Sequence, residues 1–181
     1  MRSIIKHFTI LLVITMSSWT CSEASGHGDF TMVLSGSMHG QLDPCGWKKN
    51  PLGGLSRRSV KIKEIRDRGI DPIILDAGDL IFSTKKIDAQ NKNAELTRAD
   101  AMLEGFNRIG GDAINVGHYE VLNGLKYLKN ISKKTDIPFI SANLKDASTS
   151  ELIFKPYLII DRGELKIGVA GVTSQLPDTS R

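Results

Sequence analysis

Hydrophobic positions along the chain switch repeatedly between two spacings. Phe30, Met32 and Leu34 alternate with polar or small neighbours, the period of a strand, and run into Ser35-Gly36-Ser37. A Gly- and Pro-containing loop from Gly40 to Gly54 follows. Leu55, Ile62 and Ile65 then mark one face of a charged helix that stops near Gly69. Pro72-Ile73-Ile74-Leu75 is a short apolar strand ending in Asp76-Ala77-Gly78-Asp79. A polar stretch, Ser83 to Asn93, leads to Leu96, Ala99, Leu103 and Phe106 at helical spacing, with Gly110-Gly111 closing that helix. Ala113 to Val116 predicts a further strand, ending in Gly117-His118-Tyr119-Glu120. Leu122, Leu125, Leu128 and Ile131 predict the next helical face. Phe139-Ile140, Tyr157 to Ile160 and Ile167 to Val172 complete the strands, the last two as a hairpin around Arg162-Gly163.

Strands alternating with helices predict an α/β fold, a sheet with helices packed on it. The chain has 181 residues, which predicts one domain, and 40% hydrophobic content rules against a disordered one. The formal charge of +4 arises from Lys and Arg scattered beside acids, as in Lys63-Glu64 and Arg66-Asp67, so no nucleic-acid stripe forms. Aromatic content of 6% also argues against a base-stacking surface.

The first residues read as an export signal. Arg2 and Lys6 precede an apolar run from Phe8 to Met16, and Ser22-Glu23-Ala24 offers small residues before a cut after Ala24. The run is too short to span a membrane. This predicts a signal peptide over 1–24, a mature domain over 25–181, and an exported, periplasmic protein. The alternative is a lipid anchor at Cys21, although Trp19 and Thr20 before it are poor residues for such a site. Either route leaves Cys45 without an internal partner, because Cys21 and Cys45 are the 2 Cys of the chain. An unpaired thiol in an exported protein is a reactive group, a ligand, an intermolecular bond or an inert core residue.

Three polar clusters fall at the C-terminal ends of successive predicted strands: Ser37-Met38-His39, Asp79, and His118 with Glu120. Ligands of open α/β sheets bind at that edge. Ser37 and His39, two apart on an extended segment, face the same way. Gly78 permits a tight turn that aims the Asp79 carboxylate inward. His and carboxylate groups converging from separate strands suit a pair of transition metals that activates water and clamps a phosphate. Each also has an ordinary structural role: a hydrogen-bonded surface His, an Asp at a turn or helix cap, a Glu at a helix start.

The sequence resembles the N-terminal part of the metallophosphoesterase domain of bacterial 5'-nucleotidases and UDP-sugar hydrolases, within the calcineurin-like superfamily. The resemblance runs from Phe30 to Ser174. It is carried by Ser37-Met38-His39-Gly40, Leu75-Asp76-Ala77-Gly78-Asp79, Gly111 to Gly117, Phe139 to Leu144, Lys155-Pro156-Tyr157 and Leu165 to Gly171. It implies a layered α/β sandwich, here incomplete at its C-terminus, and an exported hydrolase using two divalent metal ions (Mn, Zn or Fe) on phosphate esters or nucleotides. Position by position, His39 becomes a ligand of the first metal and Asp79 the bridging carboxylate.

Departures from the family are equally specific. Ser37 stands where the family has a metal-binding Asp, His118 where it has Asn, and Tyr119 where it has the catalytic His. Imidazole can replace the Asn as ligand, whereas a phenol near pKa 10 is a poor proton carrier at neutral pH. Tyr119 can still donate a hydrogen bond to a phosphoryl oxygen. No His follows His118, although the family's remaining ligands lie downstream. The stretch from Leu42 to Leu55 is similar to exported relatives with Cys-Gly-Cys or Cys-Gly-selenocysteine beside the metal loop, with Trp47 at the second redox position. The expectation is therefore an impaired metallophosphoesterase with His39, Asp79 and His118 holding metal; the rival is a redox or metal-binding module using Cys45.

Overall fold

The structure, a computed structural model, describes residues 29–46 and 52–174. The expected signal peptide, Cys21 and Trp47 lie outside the described residues. Four short strands, β1 (Met32–Ser35), β2 (Ile73–Asp76), β3 (Ala113–Asn115) and β4 (Phe139–Ile140), form a parallel sheet in the order β1-β2-β3-β4. Each parallel step needs a crossover, supplied by α1 (Leu55–Arg66), α2 (Lys92–Ile109) and α3 (Leu125–Ile131). A second pair, β5 (Tyr157–Arg162) and β6 (Leu165–Ala170), forms an antiparallel hairpin.

Side chains of the sheet alternate between two apolar layers, as a period of two requires. Val33, Ile74, Ile114 and Phe139 pack with the helices against Ile62, Met102, Phe106 and Leu128. Ile73, Leu75, Ala113 and Ile140 point the other way, onto Leu158, Ile160, Ile167 and Val169 of the hairpin. The fold is thus helices, sheet and hairpin in three layers. β2 is buried at every position, which explains why Pro72 to Leu75 reads as an uninterrupted apolar run. The hairpin is pinned at its tip by Arg162, whose guanidinium lies 2.7 Å from Asp112 Oδ1, while Asp112 Oδ2 accepts the Ile74 N–H.

Two boundaries differ from the sequence expectation. α3 begins at Leu125, because Gly124 sits at φ 84°, and Leu122 belongs to the turn before it. The last strand ends at Ala170 rather than Val172; a Cβ on Gly171 would lie 2.5 Å from Asn115 Oδ1, so the chain there is pressed against the end of β3. α2 closes at Gly110 in the left-handed conformation, its N–H returning to the carbonyls of Asn107 and Phe106, as the Gly110-Gly111 signal predicts.

Candidate functional site

The loops after β1, β2 and β3 meet at the carboxyl edge of the sheet. The β1 loop rides on the β2 loop through three backbone bonds of 2.8 Å: Ser37 N–H to Gly78 O, His39 N–H to Asp79 O and Gly40 N–H to Leu80 O. Ser37 and His39 are not extended as expected. Both are left-handed, at φ 52° and 48°, and Asp79 is likewise at φ 57°. Alternation along an extended segment is therefore not what aims them. Non-glycine residues in this conformation are strained and persist where the surroundings fix them.

Behind these positions the packing leaves no room. A Cβ on Gly78 would lie 2.6 Å from Gly117 N, and one on Gly117 would lie 2.5 Å from both Asp79 N and Asp79 Oδ1. The β2 and β3 loops therefore touch through two glycines. Glu120, fully buried, closes this contact. Its Oε2 accepts the N–H groups of Asp79 and Gly117, both at 2.8 Å, and its Oε1 those of Leu80 at 2.7 Å and Ile81 at 3.4 Å. Burial pushes its carboxyl up to about 7, against the pull of the donating amides. In return, Asp79 Oδ1 accepts the Tyr119 N–H at 2.8 Å. The sequence placed Glu120 in the edge cluster with His118, with a helix start as its ordinary alternative; it sits within a single 3-10 turn, Tyr119–Val121, and its carboxylate serves a loop some forty residues away.

In front, Tyr119 is central. Its ring lies 4.5 Å from the His39 ring, tilted by 47°, and 5.9 Å from the His118 ring, edge to face. His39, Asp79 and His118 are thus neighbours around Tyr119. They do not converge on one point: among the described residues no three His, Cys, Asp or Glu side chains are placed to hold a metal ion. Ser37, exposed at the rim, offers a hydroxyl and no charge. Cys45 is also exposed, paired by an antiparallel bridge with Leu52, and its Sγ accepts from Gln41 Nε2 at 2.9 Å. A cleft of about 460 Å³ opens beside the end of β1, with Ser37, Met38, Arg57, Arg58 and Lys61 in its wall.

One buried group was missed by the sequence reading. Arg58, one turn into α1, reaches Asp76 Oδ2 at 3.3 Å and the Leu75 carbonyl at 3.1 Å, with its guanidinium 4.5 Å from the centre of the Phe106 ring. Asp76 also accepts from the Ser35 hydroxyl and from the Gly78 N–H at 2.9 Å. Burial raises its carboxyl and lowers the arginine, each opposed by the pairing. The signal was the first acid of Asp76-Ala77-Gly78-Asp79, too polar for a strand buried on both sides unless paired.

No protein-family model matches the chain. The chain is 35% identical over 119 residues to Protein UshA of Salmonella pullorum, covering 66% of this chain and 20% of that protein. In fold it matches the 5'-nucleotidase precursor of Thermus thermophilus at TM-score 0.64 and 26% identity, over 80% of this chain and 28% of that one. The calcineurin-like phosphoesterase YfkN of Bacillus subtilis matches at TM-score 0.59 and 22% identity, over 80% of this chain and 48% of that chain, which shows the fold alone. The chain thus spans from a fifth to about half the length of these proteins. With the fold and these likenesses together, the chain is a partial-length match to the 5'-nucleotidase type of metallophosphoesterase.

Proposed function

We propose that the chain is exported, with residues 1–24 as signal peptide and 25–181 as the N-terminal part of a metallophosphoesterase domain, and that its reaction class is hydrolysis of phosphate esters, nucleotides foremost. The observation that carries this reading is the meeting of three motif-bearing loops at one sheet edge, with Asp79 held left-handed between Gly78 and the β3 loop. The cations of Arg57 and Lys61 in the cleft wall beside Ser37 suit an anionic substrate. Among the described residues no helix is long and apolar enough to cross a membrane.

Family membership implies divalent metal, and the donor set described here does not fit a metal centre on its own. Ser37 is neutral, and Tyr119 stands between the two imidazoles. What the chain's own groups provide is a fixed carboxylate at Asp79 and a phenol at Tyr119 that donates to a phosphoryl oxygen. A phenol does not exchange protons readily at neutral pH, so we read hydrolysis by this form as impaired.

Turnover of a 5'-nucleotide and of a chromogenic phosphodiester, with added manganese or zinc, tests the reading. The parent protein should run barely above a metal-only control. Ser37→Asp combined with Tyr119→His should raise the rate by about tenfold or more, a fraction of what a positioned proton carrier contributes. Robust parental turnover abolished by Asp79→Asn overturns the impairment, and a doubly restored variant that stays at background overturns the phosphoesterase reading of this edge.

A further inference from the structure

We propose that Glu120 is a positioning residue that joins the β2 and β3 loops into one unit and thereby fixes how the Asp79 carboxylate is presented. The inference rests on Asp79 as the centre of the site. Its test reads amide protection rather than turnover, so its failure and that of the proposed function are separable.

Three observations carry it. Glu120 is fully buried, yet both its oxygens are spent on backbone N–H groups and none on a side chain: Asp79, Leu80 and Ile81 of one loop, Gly117 of the other. Successive amides turned toward one anion form a nest, and a left-handed residue is what bends the chain into it. Asp79, at φ 57°, is that residue, so the carboxylate and the strained backbone account for each other. Second, the contact is reciprocal. Asp79 Oδ1 takes the Tyr119 N–H, so each loop's acid holds the other loop's backbone. Third, the approach needs both glycines, since a side chain at Gly78 or Gly117 would collide with the opposite loop. Tyr119 lies between the two acids in sequence and space and carries the ring that meets His39 and His118. A shift of the unit moves all three.

The experiment compares amide hydrogen exchange and amide chemical shifts in the parent, Glu120→Gln, Glu120→Asp and Asp79→Asn. The reporter is the Tyr119 amide, whose N–H is donated to Asp79 Oδ1 and not to the Glu120 carboxylate. Glu120→Gln sets amide donors against the Asp79 and Gly117 N–H groups, and Tyr119 protection should fall about tenfold, the scale of one hydrogen bond, while α2 and the β5–β6 hairpin keep theirs. Glu120→Asp should restore part of the loss. Asp79→Asn, approached from the other side with Glu120 intact, should loosen Tyr119 and leave Ile81 protected. Unchanged Tyr119 protection in a folded Glu120→Gln protein overturns the proposal. Protection lost evenly across the whole chain, or failure of both Glu120→Gln and Asp79→Asn to fold, also overturns it, because the carboxylate is then a fold keystone with no particular hold on the site.

Discussion

The back and the front of the candidate site are built to different standards. At the back, Gly78, Asp79, Gly117 and Glu120 match the family pattern and are locked by backbone bonds of 2.7–3.4 Å to a buried carboxylate. In front, the positions that depart from the family are less buried: Ser37 is exposed, and His118 and Tyr119 are half-buried with their rings meeting edge to face. Burial explains the difference. A buried N–H deprived of its acceptor costs the whole desolvation of that group, whereas an exposed side chain exchanges its contacts for water at little cost. Substitutions at the rim therefore leave the scaffold intact, and the fold by itself does not fix the chemistry there.

That contrast is most exposed to test at Glu120. Glu120→Ala removes the acceptor of four backbone N–H groups at a site with no water access, and stability should fall by about 4 kcal/mol in a denaturant titration. A loss under about 1 kcal/mol means that water or a shifted loop satisfies these groups, and the locked back of the site is then no firmer than the rim.

Next in size is the buried pair beneath the edge. Arg58→Met leaves Asp76, 2% exposed, without its cation, and should cost about 3 kcal/mol by the same measurement. Arg58→Met with Asp76→Leu should cost less than the single change, since an apolar pair of similar bulk asks for no desolvation. If the double variant is worse than Arg58→Met alone, Asp76 matters chiefly as acceptor of the Ser35 hydroxyl and Gly78 N–H, and the back of the site extends through β1.

How much of this was readable in the sequence follows the same division. The alternation of Phe30, Met32 and Leu34, the apolar run of Ile73 to Leu75 and the closing Gly110 each placed an element within a few residues, because burial on a sheet face or a helix stop is a local pattern. The gathering of the loops that carry Ser37 and His39, Asp79, and His118 with Glu120 at one edge was likewise legible, since parallel strands bring successive loops together. Their conformations were not. Nothing local says that His39 and Asp79 are left-handed, because that is imposed by amides and a carboxylate some forty residues away in sequence. For the same reason the buried roles of Glu120 and Arg58 were not legible: their partners are in other elements, and a single chain segment carries no trace of them.

At the rim the expected effects shrink. Ser37→Asp should change stability by no more than about 0.5 kcal/mol, because the position is exposed and Asp tolerates a φ of 52° better than most residues. Thermal melting of that variant beside Glu120→Ala sets the two halves of the site on one scale. A Ser37→Asp loss approaching the Glu120→Ala loss erases the distinction between them.

The smallest effect belongs to a carboxylate outside the site, and it shows that backbone bonding alone does not make a back wall. Asp146, like Glu120, accepts a backbone N–H: its Oδ1 takes the Ser148 hydroxyl at 2.6 Å and the Ser148 N–H at 3.0 Å, and its Oδ2 lies 3.2 Å from Lys129 Nζ. It is only half-buried, so burial opposes these donors weakly, and its carboxyl is drawn down to about 2, first by the Ser148 hydroxyl and then by the amide and Lys129. A lowered folded value means that the folded turn binds the proton more weakly than the unfolded chain does. The stabilisation is therefore full above the unfolded value near 3.9 and is lost as pH falls toward 2. Glu120 moves the opposite way, its burial holding the proton to about 7, so acid in that range does not draw on it. In an NMR titration from pH 5 to pH 2, the Ser148 amide should shift with a midpoint near 2 in the parent and show no such step in Asp146→Asn, while the Leu80 amide stays flat. A Leu80 amide that follows the same acid transition shows that the amide donors outweigh burial at Glu120, and the two carboxylates then answer to acid alike.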